Sequence, residues 1–211
     1  AEHNMSIAAI IMIVTFIMLF VAGGKIKHLF GIILPALFTL AIFFIFSSDY
    51  RRERMLNFID PWKDAADAGY QLIQSFLALG SGGLTGLGLG QSRQKTLYMP
   101  EPHNDFIFSI IGEEVGLIGC LFIIGLFLIF IWRGVKVAMN ARDTYGKLLA
   151  MGITSIIAVQ AIINIAVVTG SMPVTGVPMP FISYGGTSLV INLTAMGILL
   201  NISRQVERKI V

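Results

Sequence analysis

The chain has 211 residues, 55% of them hydrophobic and 13% charged, with a mean hydropathy of +0.81 and a formal net charge of +3. That composition favours a membrane bundle over the one or two soluble domains the length would allow. The basic residues are dispersed without interleaved aromatics, which argues against nucleic acid. The single cysteine, Cys120, excludes an internal disulfide and reads as a buried, inert thiol.

A helix that spans a bilayer needs about 20 mostly apolar residues. Five stretches approach this in chain order: Met5–Val21, Leu29–Phe46, Ile118–Trp132, Leu148–Val168 and Ser188–Ile202. The predicted class is therefore all-α, a polytopic membrane helix bundle with one large extracellular loop over residues 48–105, within a single membrane domain covering residues 1–211. The chain opens Ala1-Glu2-His3-Asn4, with neither a basic signal region nor an initiator Met, so an excerpt of a longer protein is expected.

Charge placement predicts orientation. Lys25 and Lys27, the loop with Arg133, Lys136, Arg142 and Lys147, and the tail with Arg204, Arg208 and Lys209 fall on one side if the spans alternate. The positive-inside rule makes that side cytoplasmic. The loop over 47–103 and the loop Gly170–Pro180 then lie outside. The basic residues Arg51, Arg52, Arg54, Lys63, Arg93 and Lys95 of the long loop weaken this reading without reversing it, because long loops translocate largely regardless of charge. Most acidic residues, from Asp49 to Glu114, also fall in or beside the long loop.

Such a loop is too long to be structureless in a compact protein. Within it, AGYQLIQSFLAL (68–79) places apolar Tyr70, Ile73, Phe76 and Leu77 at helical spacing, which predicts a short amphipathic helix along the membrane surface. GSGGLTGLGLG (80–90) follows. A glycine-rich turn can cradle phosphate through backbone N–H groups, but this one lacks the GK[ST] ending of a P-loop, and a flexible or close-packed loop is the favoured reading. Pro100 and Pro102 then end one element and start the next.

The stretch YMPEPHNDFIFSIIGEEVG (98–116) is the most informative. It sets Asp105, Glu113 and Glu114 beside spanning sequence, where a carboxylate is costly and marks a functional site by default. The bland alternative for Asp105 is a helix N-cap. Asp105 and Glu113 stand eight residues apart, about 12 Å along a helix, too far for a paired acid and base on one bond. Which of Glu113 and Glu114 is structural is left open. SMPVTGVPMPFISYGGTS (171–188) cannot be regular helix, and either lines a cavity or forms a rigid re-entrant turn. Gln160 and Asn164 share a helix face and are read as interhelical hydrogen-bonding groups, with a substrate role as the minority reading.

GYQLIQSFLALGSGG, GLGLGQSRQKTLYMPEPHNDFIFSIIGEEVG and MPVTGVPMPFISYGGTS closely resemble the SEDS family (shape, elongation, division and sporulation), its division and sporulation branch more than its elongation branch. The resemblance covers nearly the whole chain and implies the C-terminal half of a ten-helix protein, helices six to ten with the large loop between seven and eight. It implies a multi-pass protein of the bacterial cytoplasmic membrane that polymerises lipid II into peptidoglycan glycan strands on the outer face. The implied partners are membrane lipids, a class B penicillin-binding protein and other division or elongation machinery.

The family's essential aspartate falls on Asp105, in HNDFIF where relatives commonly read HTDFIF. In the last loop Pro173-Val174-Thr175-Gly176 offers no lysine to match the P-T-K-G of some division members. The chemistry asks for a base at the acceptor 4-hydroxyl and positive charge at a departing pyrophosphate. Asp105 is the candidate catalytic base. Arg93, Lys95, Glu101, His103, Glu113 and Ser183 are the candidate substrate-binding residues. A divalent cation, Mg or Mn, could share the work of Arg93 and Lys95, and no organic cofactor is expected. The rival readings are a lipid II flippase, which needs determinants at the midplane or on both faces, and a non-catalytic scaffold for the crosslinking enzyme.

Overall fold

The computed structural model describes residues 5–25, 27, 30, 31, 35, 39, 58–64, 69–92 and 105–207. All elements among them are helical: α1 (Met5–Val21), a 3-10 turn (Pro61–Asp64), α2 (Tyr70–Gly82), α3 (Ile107–Met139), α4 (Thr144–Val168) and α5 (Gly186–Glu207). Three helices are long and apolar enough to cross a membrane, Ile107–Met139, Thr144–Val168 and Gly186–Val206, and α1 contributes a shorter apolar helix. The predicted span Leu29–Phe46 falls almost wholly outside the described residues.

The predicted cores of the last three spans are present, but each helix extends further. α3 begins at Ile107, eleven residues before the predicted Ile118, and its interior is broken at Gly116 (φ 72°, ψ −169°). α4 starts at Thr144 because Asp143 caps it, its carboxylate accepting from the Gly146 N–H at 2.9 Å. α1 and α4 end alike. Gly23 (φ 92°) and Gly170 (φ 65°) take the left-handed position, and the next N–H, of Gly24 or Ser171, reaches back to Leu19 O at 3.0 Å or Ala166 O at 2.7 Å. This is the Schellman closure, which satisfies carbonyls that a helix end leaves unpaired.

The chain divides into two compact units. The first comprises Ala1–Leu40, Leu126–Gln160 and Gly185–Val211. In it Gly134 lets α3 approach Thr154 of α4 so closely that no Cβ would fit, and Gly152 meets the Met18 sulfur of α1. Ala138 and Ala150 are fully buried, as close packing of small residues between membrane helices requires. Trp132 is exposed, with the Arg133 guanidinium carbon 5.2 Å and the Lys136 ammonium 5.7 Å from its ring centroid. An aromatic ring under basic groups suits a membrane–water interface.

The second unit comprises Ala41–Gly125 and Ala161–Tyr184 and holds the candidate acidic residues. Its organiser is α2. The sequence places Leu77 on the apolar face of this helix, yet Leu77 is 49% exposed, and the buried set is Leu72, Ile73, Ser75, Ala78 and Gly82. Small residues won the buried face because α2 packs against protein backbone. Periodicity of large apolar residues cannot report that.

Candidate functional site

The glycine-rich segment after α2 docks onto the break in α3. At Gly116 the helical ladder is interrupted, and four main-chain bonds replace it. Leu87 N–H donates to Glu113 O (2.9 Å) and Gly88 N–H to Glu114 O (3.0 Å). In return Leu117 N–H reaches Gly83 O (2.9 Å) and Ile118 N–H reaches Leu84 O (3.2 Å). Non-helical backbone near a membrane persists only when protein satisfies its polar groups in this way.

Glycine is required at the contact. A Cβ on Gly82 would overlap the Gly112 carbonyl, one on Gly86 the Glu114 carbonyl, and one on Gly116 the Gly86 nitrogen. Of the readings open for residues 80–90, the structure selects the close-packed one, and its first three residues belong to α2. The N–H groups of Leu87 and Gly88, which a phosphate cradle would need, are already committed to α3.

The two glutamates separate at this junction. Glu113 is 1% exposed, and its carboxylate accepts a short hydrogen bond from the hydroxyl of Ser92, itself buried. Glu113 thus holds the chain at the residue before Arg93. Glu114 is partly exposed, with one buried carboxylate oxygen, Oε1, that has no hydrogen-bond partner among the described residues. Sequence reasoning missed Ser92, because an isolated serine carries no pattern.

Asp105 lies two residues before the first residue of α3, with Phe106 between. The Ser109 hydroxyl and N–H both bond to Phe106 O, at 2.7 and 3.0 Å, which closes the first turn. The Asp105 carboxylate faces the last loop: a Cβ built on Gly176 (φ 68°) would stand 3.3 Å from its Oδ2. Asn164, buried on α4, joins the same two segments. Its Nδ2 donates to Asp105 O and to Val177 O, each at 2.8 Å.

The loop around Gly176 is held rigidly. Val177, Met179 and Pro180 are buried, and the Ser183 hydroxyl accepts from Met179 N–H at 2.7 Å. Phe181 adopts φ 66°, a left-handed conformation that a bulky residue enters only under constraint. Ser183, expected as a substrate-binding residue, thus also closes this turn. Residues 177–183 thus form a constrained turn. Gly176 was legible only as a glycine between prolines, and its place against Asp105 was not.

Beneath these contacts α2 seals the end of α4. The buried Ser75 hydroxyl donates to Val168 O at 2.8 Å, and the Phe76 ring lies where a side chain on Gly170 would be. Arg93, Lys95, Glu101 and His103 lie outside the described residues, so of the expected site residues the structure locates Asp105, Glu113 and Ser183. Among the described residues no three His, Cys, Asp or Glu side chains gather as a metal cage. An apolar cavity of about 460 Å³ lies in the same unit, bounded by Leu79, Phe108, Gly112, Leu117, Cys120 and Ile165 among others. Phe108 is one turn beyond Asp105, and Ile165 adjoins Asn164.

The family model described as "Cell cycle protein", covering FtsW, RodA and SpoVE, matches residues 1–208. A probable peptidoglycan glycosyltransferase FtsW of Geobacter sp. (strain M18) is 46% identical over 98% of this chain and 56% of its own length. Stage V sporulation protein E of Bacillus subtilis (strain 168) is 50% identical over 89% of this chain and 51% of its own. The chain therefore spans about half the length of the curated relatives it matches. Among solved structures, a chain of a peptidoglycan synthase complex, reported to coordinate polymerization and crosslinking, aligns with a TM-score of 0.72 at 28% identity. That alignment covers 94% of this chain and 55% of that one. The rod shape determining protein RodA of Thermus thermophilus aligns at 0.61 and 27% identity, over 96% of this chain and 50% of that one.

Proposed function

The chain belongs to the FtsW, RodA and SpoVE family of cell cycle proteins, a family of multi-pass membrane proteins, and from that premise we propose that it carries the reacting carboxylate of a peptidoglycan glycosyltransferase. The substrate is lipid II, polymerised into glycan strands on the outer face of the cytoplasmic membrane. The names of its relatives support the activity. The peptidoglycan synthase complex among its structural neighbours supports a penicillin-binding protein as partner.

The observation that carries this reading is the placement of Asp105. Its main chain is fixed by the Asn164 amide, and its carboxylate faces Gly176 of the last loop. In the proposed step Asp105 takes the proton of the acceptor 4-hydroxyl as that oxygen attacks the anomeric carbon of the donor. The bond to the lipid pyrophosphate breaks, and its electron pair leaves with the phosphate. One displacement converts the α linkage to β, so no covalent enzyme intermediate is required. The leaving group needs positive charge rather than a proton, and Arg93 and Lys95 are the candidate cations. A Mg or Mn ion, where bound by the substrate phosphates and water, would supply charge at the same point. The apolar cavity beside Phe108 has the chemistry that the hydrocarbon of a lipid-linked donor requires.

The outer face is the proposed location because Asp105 precedes the start of α3, whereas Arg133, Lys136, Arg142 and Lys147 lie at and beyond its other end. The test is strand synthesis from labelled lipid II by purified full-length protein. Asp105→Asn keeps the shape and removes the base, and should lower the rate by roughly 10²–10⁴-fold. A folded Asp105→Asn protein with near wild-type synthesis would remove Asp105 from the mechanism and return it to the helix N-cap reading, whereas no synthesis by the wild-type protein would favour the scaffold.

A further inference from the structure

Asn164 is 1% exposed, and its buried amide is used unevenly. Both N–H donors are engaged, at 2.8 Å, by the carbonyls of Asp105 and Val177. The amide oxygen is buried and has no hydrogen-bond partner among the described residues. An orphaned buried acceptor costs roughly 1–3 kcal/mol. Leucine has a similar volume but would leave both carbonyls without their donor, so the amide is held here by the two segments it joins rather than by packing.

Its two donors supply a specific geometry. The acceptors lie 59 residues before Asn164 and 13 residues after it in the chain. One is the main chain of Asp105, and the other adjoins Gly176, the residue the Asp105 carboxylate faces. One planar amide therefore sets the distance between the start of α3 and the last loop. Few other side chains offer two donors at that reach without a charge. α4 in turn is fixed near Asn164 by Ser75 at Val168 O, so the amide projects from a rigid support.

We propose that Asn164 is a positioning residue for Asp105: its amide clamps the Asp105 and Val177 carbonyls and thereby fixes the Asp105 carboxylate against Gly176. The inference rests on the reading of Asp105 as the reacting carboxylate. Asn164 touches neither substrate nor reacting atoms in this role. It acts on turnover because small displacements of a reacting group are costly, about a hundredfold for 1 Å.

The test uses full-length protein and lipid II, with kcat and KM measured for Asn164→Leu, Asn164→Gln and Asp105→Asn, and for the Asp105→Asn/Asn164→Leu double variant. Asn164→Leu should lower kcat roughly ten- to a hundredfold with KM within about twofold. Asn164→Gln, which keeps both donors on a longer arm, should recover part of the loss. In the Asp105→Asn background the Leu substitution should have no further effect. A folded Asn164→Leu protein with wild-type kcat overturns the proposal, as does an equal loss in both backgrounds. If Asn164→Leu does not fold, Asn164→Gln carries the test: a lowered kcat at unchanged KM supports the clamp, and a wild-type kcat overturns it. Should Asp105→Asn itself stay active, the reading of Asp105 fails. An inactive Asp105→Asn beside a fully active Asn164→Leu defeats only the clamp.

Discussion

The hydroxyl of Ser75 in α2 donates to the carbonyl of Val168, the last residue of α4, at 2.8 Å with both residues fully buried. A short helix in the long loop thus caps the end of a long apolar helix, and the support beneath Asn164 depends on it. Ser75→Ala should leave that carbonyl without its hydroxyl donor and lower stability by about 1–3 kcal/mol. Thermal unfolding in detergent would check this. An unchanged midpoint would mean that the remaining Schellman bonds suffice.

Gly82, Gly86 and Gly116 form the backbone-to-backbone contact at the α3 break. Alanine at Gly82 or Gly86 should destabilise by at least the 1–3 kcal/mol typical of overpacking, because the obstructing atoms are carbonyls and cannot rotate away. Gly80, which has open space around it, is the control and should tolerate alanine. Equal melting temperatures for Gly80→Ala and Gly82→Ala would contradict the contact.

Glu113 and Ser92 are coupled. Glu113→Gln retains an acceptor for the Ser92 hydroxyl and should be mild, whereas Glu113→Ala removes this bond and the buried side chain and should cost about 1–3 kcal/mol. Ser92→Ala should cost less in the Glu113→Ala background than in the wild type. A double-mutant cycle with no coupling energy would remove the bond from the account.

Orientation is testable with cysteines at Leu89, which is 80% exposed, and at Asn140, also exposed, in a Cys120→Ala background. An impermeant thiol reagent applied to intact cells should label position 89 and spare 140. The reverse pattern would place the Asp105 side in the cytoplasm.

The sequence alone carried the class and most of the elements. Long apolar runs can be satisfied only as helices in a membrane, so α1, α3, α4 and α5 were visible as composition. Asp105 stood out because an acid beside a span is costly. Glycines and prolines in 80–90 and 171–188 marked irregular backbone, since their own φ preferences act locally.

Pairwise relations belong to the tertiary structure. Nothing in the periodicity of α2 foretold that Ser75, Ala78 and Gly82 would be buried while Leu77 faces outward, because the choice depended on backbone meeting backbone at Gly112. The division of labour between Glu113 and Glu114 turned on Ser92, 21 residues away from Glu113. The clamp of Asn164 on Asp105 and Val177 required three segments distant in the chain to arrive at one point. Helix propensity, turn chemistry and hydropathy act over a few neighbouring residues and so are written in sequence order. Which buried donor meets which carbonyl is fixed only when the packed helices exclude water and leave each polar group the partners within reach.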